Sequence, residues 1–144
     1  ESFLEHFVNI VGLCVMGWTF PPSPASTQRI VGLLNAVTGW DYSMPDILKV
    51  AERSVNLRHV FNLREGINEL KWAVHPRIVG HPPQTEGPLA GVIADIEAQV
   101  YWCLGALDWD RVTTKPSKNK LIALGLHDVA AELWPDNMPG PGPR

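Results

Sequence analysis

The chain has 144 residues, the size of one domain, with 45% apolar and 19% charged residues and a net charge of −3. There is no basic stripe to suit nucleic acid, and no apolar run reaches the ~20 residues a bilayer-spanning helix needs. Two cysteines, Cys14 and Cys103, exclude a disulfide framework and fit a reducing, cytoplasmic setting.

The elements are all helical. Residues 2–11 predict a helix with Ser2 as cap, Glu5 as capping-box acid, and Phe3, Phe7, Ile10 and Val11 on one face. Gly12 permits a break, and Leu13 to Gly17 extend to a further turn. Phe20 to Pro24 reads as a proline-fixed loop. Ser26 then caps a helix over 27–38 with Ile30, Leu33, Leu34 and Val37 inward, stopped by Gly39. Ser43, Pro45 and Asp46 start a long helix over 44–65. Its apolar residues cover more than one face, which predicts burial on two sides at the centre of a bundle. Residues 67–87 read as an irregular, functional-length loop. An amphipathic helix is predicted over 88–106, ended by Asp108-Trp109-Asp110. Pro116 starts another through Leu124, with Lys118 and Lys120 outward and Leu121, Ile122 and Leu124 inward. Gly125 stops it, and a short helix follows over 127–133. The whole is a multihelical, all-α domain over 1–134, with a Pro/Gly-rich disordered tail over 135–144.

Few residues carry chemistry on their own spacing. A lone Cys in an apolar segment, such as Cys14, reads first as a core residue, and one thiolate cannot hold an iron–sulfur cluster. His6, His59, His75, His81 and His127 show no metal spacing, and no nucleophile elbow or phosphate-gripping loop is present. Glu52 and Arg53 read as ion-paired surface residues, and Asn62 to Gly66 as a salt-bridge network at a helix end. The chain starts at Glu1 and goes straight into an apolar pattern, as a piece cut from a longer protein or a trimmed terminus would.

The order of landmarks resembles the C-terminal region of the aldehyde ferredoxin oxidoreductase family, the tungsten-pterin enzymes. In that family a D-x-x-G-L-C motif precedes L-L-N-A-x-T-G-W, a helix with E-R, F-N-x-R-E-G, a G-W-D-like segment and K-L-x-x-L-G-L. The counterparts here are Asn9 to Cys14, Leu33 to Tyr42, Ala51-Glu52-Arg53, Phe61 to Gly66, Asp108-Trp109-Asp110 and Lys120 to Leu126.

The resemblance implies a longer polypeptide, with an N-terminal β domain and two helical domains, of which this chain is the last part. It implies that Cys14 is the fourth ligand of a [4Fe–4S] cluster, the other three lying upstream. It implies that Asn9, Gly12 and Leu13 line a tungsten (or molybdenum) bis-pterin, with catalytic residues upstream of this chain. The activity implied is oxidation of an aldehyde to a carboxylic acid, with electrons passed to ferredoxin. The isolated domain is expected to hold no cofactor and to be inert. Two departures stand out. Asn9 replaces the motif's Asp, offering one acceptor oxygen where a carboxylate offers two. After Gly66 the family's acidic D-D-x-L-P-x-R stretch is replaced by Asn68 to Arg77, by resemblance towards the substrate channel. These departures leave two rivals open. One is a helical interaction domain that has lost its cofactor; the other is a relative that reduces an aromatic acyl thioester. For the isolated domain Cys14 is expected to be reachable by solvent and Cys103 buried.

Overall fold

The computed structural model describes residues 3–14, 16 and 24–135. Among them lie six α-helices: α1 (Phe3–Ile10), α2 (Pro24–Thr38), α3 (Met44–Arg64), α4 (Ile96–Leu107), α5 (Lys118–Ala123) and α6 (His127–Leu133). Two 3₁₀ turns, Glu69–Lys71 and Pro76–Val79, punctuate the segment between α3 and α4. The described residues form no strand, only isolated bridges Gln84–Ala90 and Trp109–Pro116, so the all-α reading holds.

The long helix α3 organises the rest. It starts as its sequence dictates, with Pro45 in the first turn and a Ser43–Asp46 capping box. Its first half packs Ile47 and Ala51 against Phe7 and Val8 of α1 and Ile30 and Val31 of α2. Its second half meets the C-terminal helices, where Val60, Leu121 and Ala130 are buried together. Two small cores therefore sit along one helix.

Burial departs from the expected pattern in several places. On α1, Val8 and His6 are buried while Ile10 is 48% exposed. The helix packs on two neighbours at its middle and leaves its C-terminal end uncovered. Ser26 is no cap, because α2 already starts at Pro24. Within α2, Leu33 and Val37 face outward, while Ile30 and Val31 are buried. The expected burial of α3 on two sides is not met among the described residues, since Leu57 and Phe61 stay exposed.

The helix expected over 88–106 begins only at Ile96. Gly91 takes a left-handed φ of 73°, and Asp95 caps the new start by accepting from Ala98 N–H at 2.9 Å. Of its apolar stripe only Leu104 is buried, and Leu89, Val92 and Ile93 are exposed. Ile122, expected inward, is exposed as well. Lys120, expected outward, instead reaches Glu52 at 2.6 Å. The expected Ser2 cap, the turn over Leu13 to Gly17 beyond Cys14 and Met16, the loop before Pro24 and the tail after Pro135 lie outside the described residues.

Candidate functional site

The stretch Asn9 to Cys14 ends α1. Gly12 N–H donates to Asn9 C=O at 3.2 Å and Leu13 N–H donates to Val8 C=O at 3.0 Å. Gly12 has φ +74°, a region an L side chain enters only at a cost. This pattern of paired bonds is a Schellman helix stop, and Leu13 supplies the apolar contact that accompanies it by packing on the α1–α2–α3 core. Gly12 and Leu13 thus have a structural task independent of any ligand: they fix where the chain leaves the helix. Cys14 follows at once and is exposed, so the helix stop holds its thiol at the surface. Asn9 is exposed too, with its backbone carbonyl engaged in the stop. Cys103, expected to be buried, is also exposed, since α4 has little packed over that face.

No group of three or more His, Cys, Asp or Glu among the described residues is placed to hold a metal ion. A single surface thiolate fits a cluster only as one ligand among several supplied by other parts of the protein. The chemistry of the donor set is therefore compatible with an iron–sulfur centre at a boundary between domains.

The polar residues gathered around α3 form a second assembly, which sequence spacing did not reveal. His59 is 6% exposed and stacks on Trp109 with ring centroids 3.7 Å apart. Its Nε2 lies 2.8 Å from Thr114 C=O and its Nδ1 lies 3.5 Å from Glu69 Oε1. Trp109 Nε1–H donates to Asn56 Oδ1 at 3.0 Å, and Asn56 Nδ2–H donates to Glu52 C=O at 2.9 Å. Beside it an open cleft of about 370 Å³ is lined by Arg58, Asn62, Glu69, Leu70 and Thr114 among others. The contacts with Trp109 and Thr114 join residues 50 or more positions apart, so periodicity could not reveal them. They bind the 108–117 loop to α3, a structural role.

Of Glu52 and Arg53, both expected to be ion-paired, Glu52 is paired and Arg53 binds a backbone carbonyl. Glu52 takes Lys120, and Arg53 Nε–H donates to Leu124 C=O at 2.7 Å, tying α5 to α3. The helix-end network is present, with Arg64–Glu132 at 3.0 Å and Asn62 Nδ2–H reaching Glu69 at 3.4 Å. His75 accepts from Arg77 N–H at 3.2 Å, and both it and His81 are exposed on their segment.

Fold and site together define an all-helical domain, among the described residues, that presents the Cys14 thiol directly after a helix stop. The family model described as "Aldehyde ferredoxin oxidoreductase, domains 2 & 3" matches residues 2–126, so the chain belongs to the aldehyde ferredoxin oxidoreductase family. It is similar to the tungsten-containing aldehyde ferredoxin oxidoreductase of Pyrococcus furiosus, 39% identical over 123 residues, 85% of this chain and 20% of that protein. The protein of the same name from Pyrococcus horikoshii is 30% identical over 125 residues, 87% of this chain and 20% of its own length. That from Thermococcus kodakarensis is 31% identical over 94 residues, 65% and 15% respectively. The chain therefore spans about a fifth of the length of the first two relatives. No solved structure matches it. No helix among the described residues is long and apolar enough to cross a membrane.

Proposed function

We propose that this chain is the C-terminal helical part of a cytoplasmic tungsten-pterin, iron–sulfur oxidoreductase that oxidises aldehydes to carboxylic acids. The overall change is RCHO + H₂O → RCOOH + 2 H⁺ + 2 e⁻, with ferredoxin as the electron acceptor. The cofactors supply the oxygen-transfer and redox chemistry, and the protein supplies placement and electrostatics. In this reading Cys14 is one thiolate ligand of a [4Fe–4S] cluster whose other ligands lie on the rest of the polypeptide. Gly12 and Leu13 hold Cys14 at the surface through the helix stop, and with Asn9 they border the pterin.

The observation that carries this reading is the exposed Cys14 set directly after a Schellman stop, in a chain that belongs to this family. The fragment alone is expected to be inert. The test is Cys14→Ala in the full-length protein, with iron counted and the cluster's electron paramagnetic resonance recorded. Loss of the cluster signal with the fold retained is the expected result. Four irons per chain with an unchanged spectrum would reject Cys14 as a ligand.

A second reading is a domain that has lost the pterin, and Asn9 is the observation that favours it. An amide offers one acceptor oxygen to a donor edge that a carboxylate meets with two, a loss of ~1.5–3 kcal/mol if a charge-assisted bond is missing. Metal analysis of the full-length protein separates the two. Iron without tungsten or molybdenum, with the metal restored by Asn9→Asp, would favour the second reading.

A further inference from the structure

The outward face of α2 has no partner among the described residues. Leu33 is 50% exposed, Val37 84% and Trp40 53%, although Val31 on the opposite side and Ile30, one turn ahead, are buried. At 100° per residue Leu33, Ala36, Val37 and Trp40 share one side of the helix and its exit. Gly32 and Ala36 are also exposed, and a Cβ added at Gly32 would meet nothing within 4 Å. Between Pro24 and Trp40 the only charged residue is Arg29, one turn ahead of Leu33.

The exit of the helix is held in place. Asn35 clamps the next segment, with Nδ2–H donating to Tyr42 C=O at 2.9 Å and Oδ1 accepting from Tyr42 N–H at 3.0 Å. Trp40 N–H donates to Thr38 Oγ1 at 3.2 Å, and its ring lies 5.1 Å from that of Tyr42. A large apolar ring is thus fixed at the surface beside an uncharged helix face.

We propose that this face, from Gly32 to Trp40, is the seat on which the rest of the same polypeptide packs, through an uncharged helix whose side chains enter the space left by Gly32 and Ala36. The proposal rests on the reading above that the chain is part of a longer enzyme, and it adds where the other part docks. Two observations select this occupant. The curated relatives carry about four-fifths of their length outside the matched region. The face is also only about two helical turns long, from Gly32 to the helix end at Thr38. A separate partner or second copy generally needs ~800 Å² per side for stable association. A neighbour on the same chain docks at high effective concentration, so a small face suffices.

The experiment uses the full-length protein carrying Val37→Cys, with thiol alkylation located by peptide mass spectrometry. Expected is labelling of Cys at position 37 about a hundredfold slower in the native monomer than in the urea-unfolded protein. Labelling at the unfolded rate overturns the proposal. Protection that vanishes on dilution to the monomer also overturns it and assigns the face to a second copy. Hydroxyl-radical footprinting of Trp40 in the unsubstituted protein gives the same readout where the variant fails to fold: a protected ring supports the seat, and an oxidised one overturns it. Iron is counted on the same samples. A protected position 37 in an iron-free protein supports the seat while rejecting the cluster, so the two failures are distinguishable.

Discussion

Segments 67–95 and 108–134 are of similar length, and each begins at a helix stop, yet they behave differently. The first follows Gly66 and leaves Leu70, Trp72, Val74, Ile78, Leu89, Val92 and Ile93 exposed. It meets α3 through Glu69, opposite His59 and Asn62. The second follows Leu107 and returns to α3 at many points. Both of its indole N–H groups find acceptors, Trp109 on Asn56 and Trp134 on Pro116 C=O at 2.8 Å. Leu121 is fully buried, and Arg53 and Glu52 hold α5 from below. The difference teaches that apolar content does not decide which segment packs. A segment is anchored where its polar groups are satisfied against a rigid helix, because an unsatisfied buried donor costs more than a typical hydrogen bond contributes.

Leu121→Ala should break the contrast most. It removes a fully buried side chain from the smaller core, at a cost of ~2–5 kcal/mol. Native-state hydrogen exchange on the full-length protein should show the loss across 108–134 and little change in α1. Equal loss in both places would mean that the two cores unfold as one unit. Asn56→Leu comes next. It strands the Trp109 N–H and removes the link to Glu52 C=O, for ~1–3 kcal/mol in the same measurement. A loss below ~0.5 kcal/mol would show that the indole finds another acceptor. Gly12→Ala is smaller still. Nothing lies within 4 Å of the added Cβ, so the cost is the left-handed backbone alone, ~1–2 kcal/mol, seen as faster exchange at the end of α1. No change there would remove the helix stop as the device that holds Cys14.

Much of this was legible in the sequence, for identifiable reasons. Ser43, Pro45 and Asp46 announced α3 because capping chemistry is local. Gly39, Gly66 and Gly125 marked stops for the same reason. The short α6 was placed correctly from its own pattern. The family landmarks are in good part punctuation of this kind: Gly12-Leu13 and Gly125-Leu126 both close helices with the same pair of backbone bonds. What stayed hidden was long-range. His59 on Trp109 and Arg53 on Leu124 C=O join residues far apart in sequence. The start of α4 was missed because an apolar rhythm over 89–93 mimics a helix, while Gly91 and Asp95 set the backbone. The inward stripes of α2 and α4 were misjudged because periodicity reports that a face is apolar, not whether this chain or another part covers it.

A finer effect concerns the loop that joins the anchored segment. Asp110 Oδ1 accepts from Thr113 N–H at 2.6 Å, Thr113 Oγ1–H at 2.7 Å and Val112 N–H at 3.1 Å. The Thr113 bonds, backbone first, hold its carboxyl below the usual carboxylate range. A depressed folded-state pKa gives stability that is present above the unfolded value near 4 and is lost as pH falls through the lowered value. Protection of 110–116 should therefore fall below about pH 4, and Asp110→Asn should remove that dependence. A dependence that survives the substitution would assign it to another carboxylate.

Trp72→Ser should do least, and for that reason it sharpens the comparison. The ring is 65% exposed on the loosely held segment, so truncation should change the protection of 67–80 by less than ~0.5 kcal/mol. The same substitution in the full-length protein also reads the surroundings of this segment. A loss above ~2 kcal/mol there would match burial of an aromatic side chain. The segment would then be anchored too, by the other domains rather than by α3, and the contrast with 108–134 would be one of partner rather than of packing.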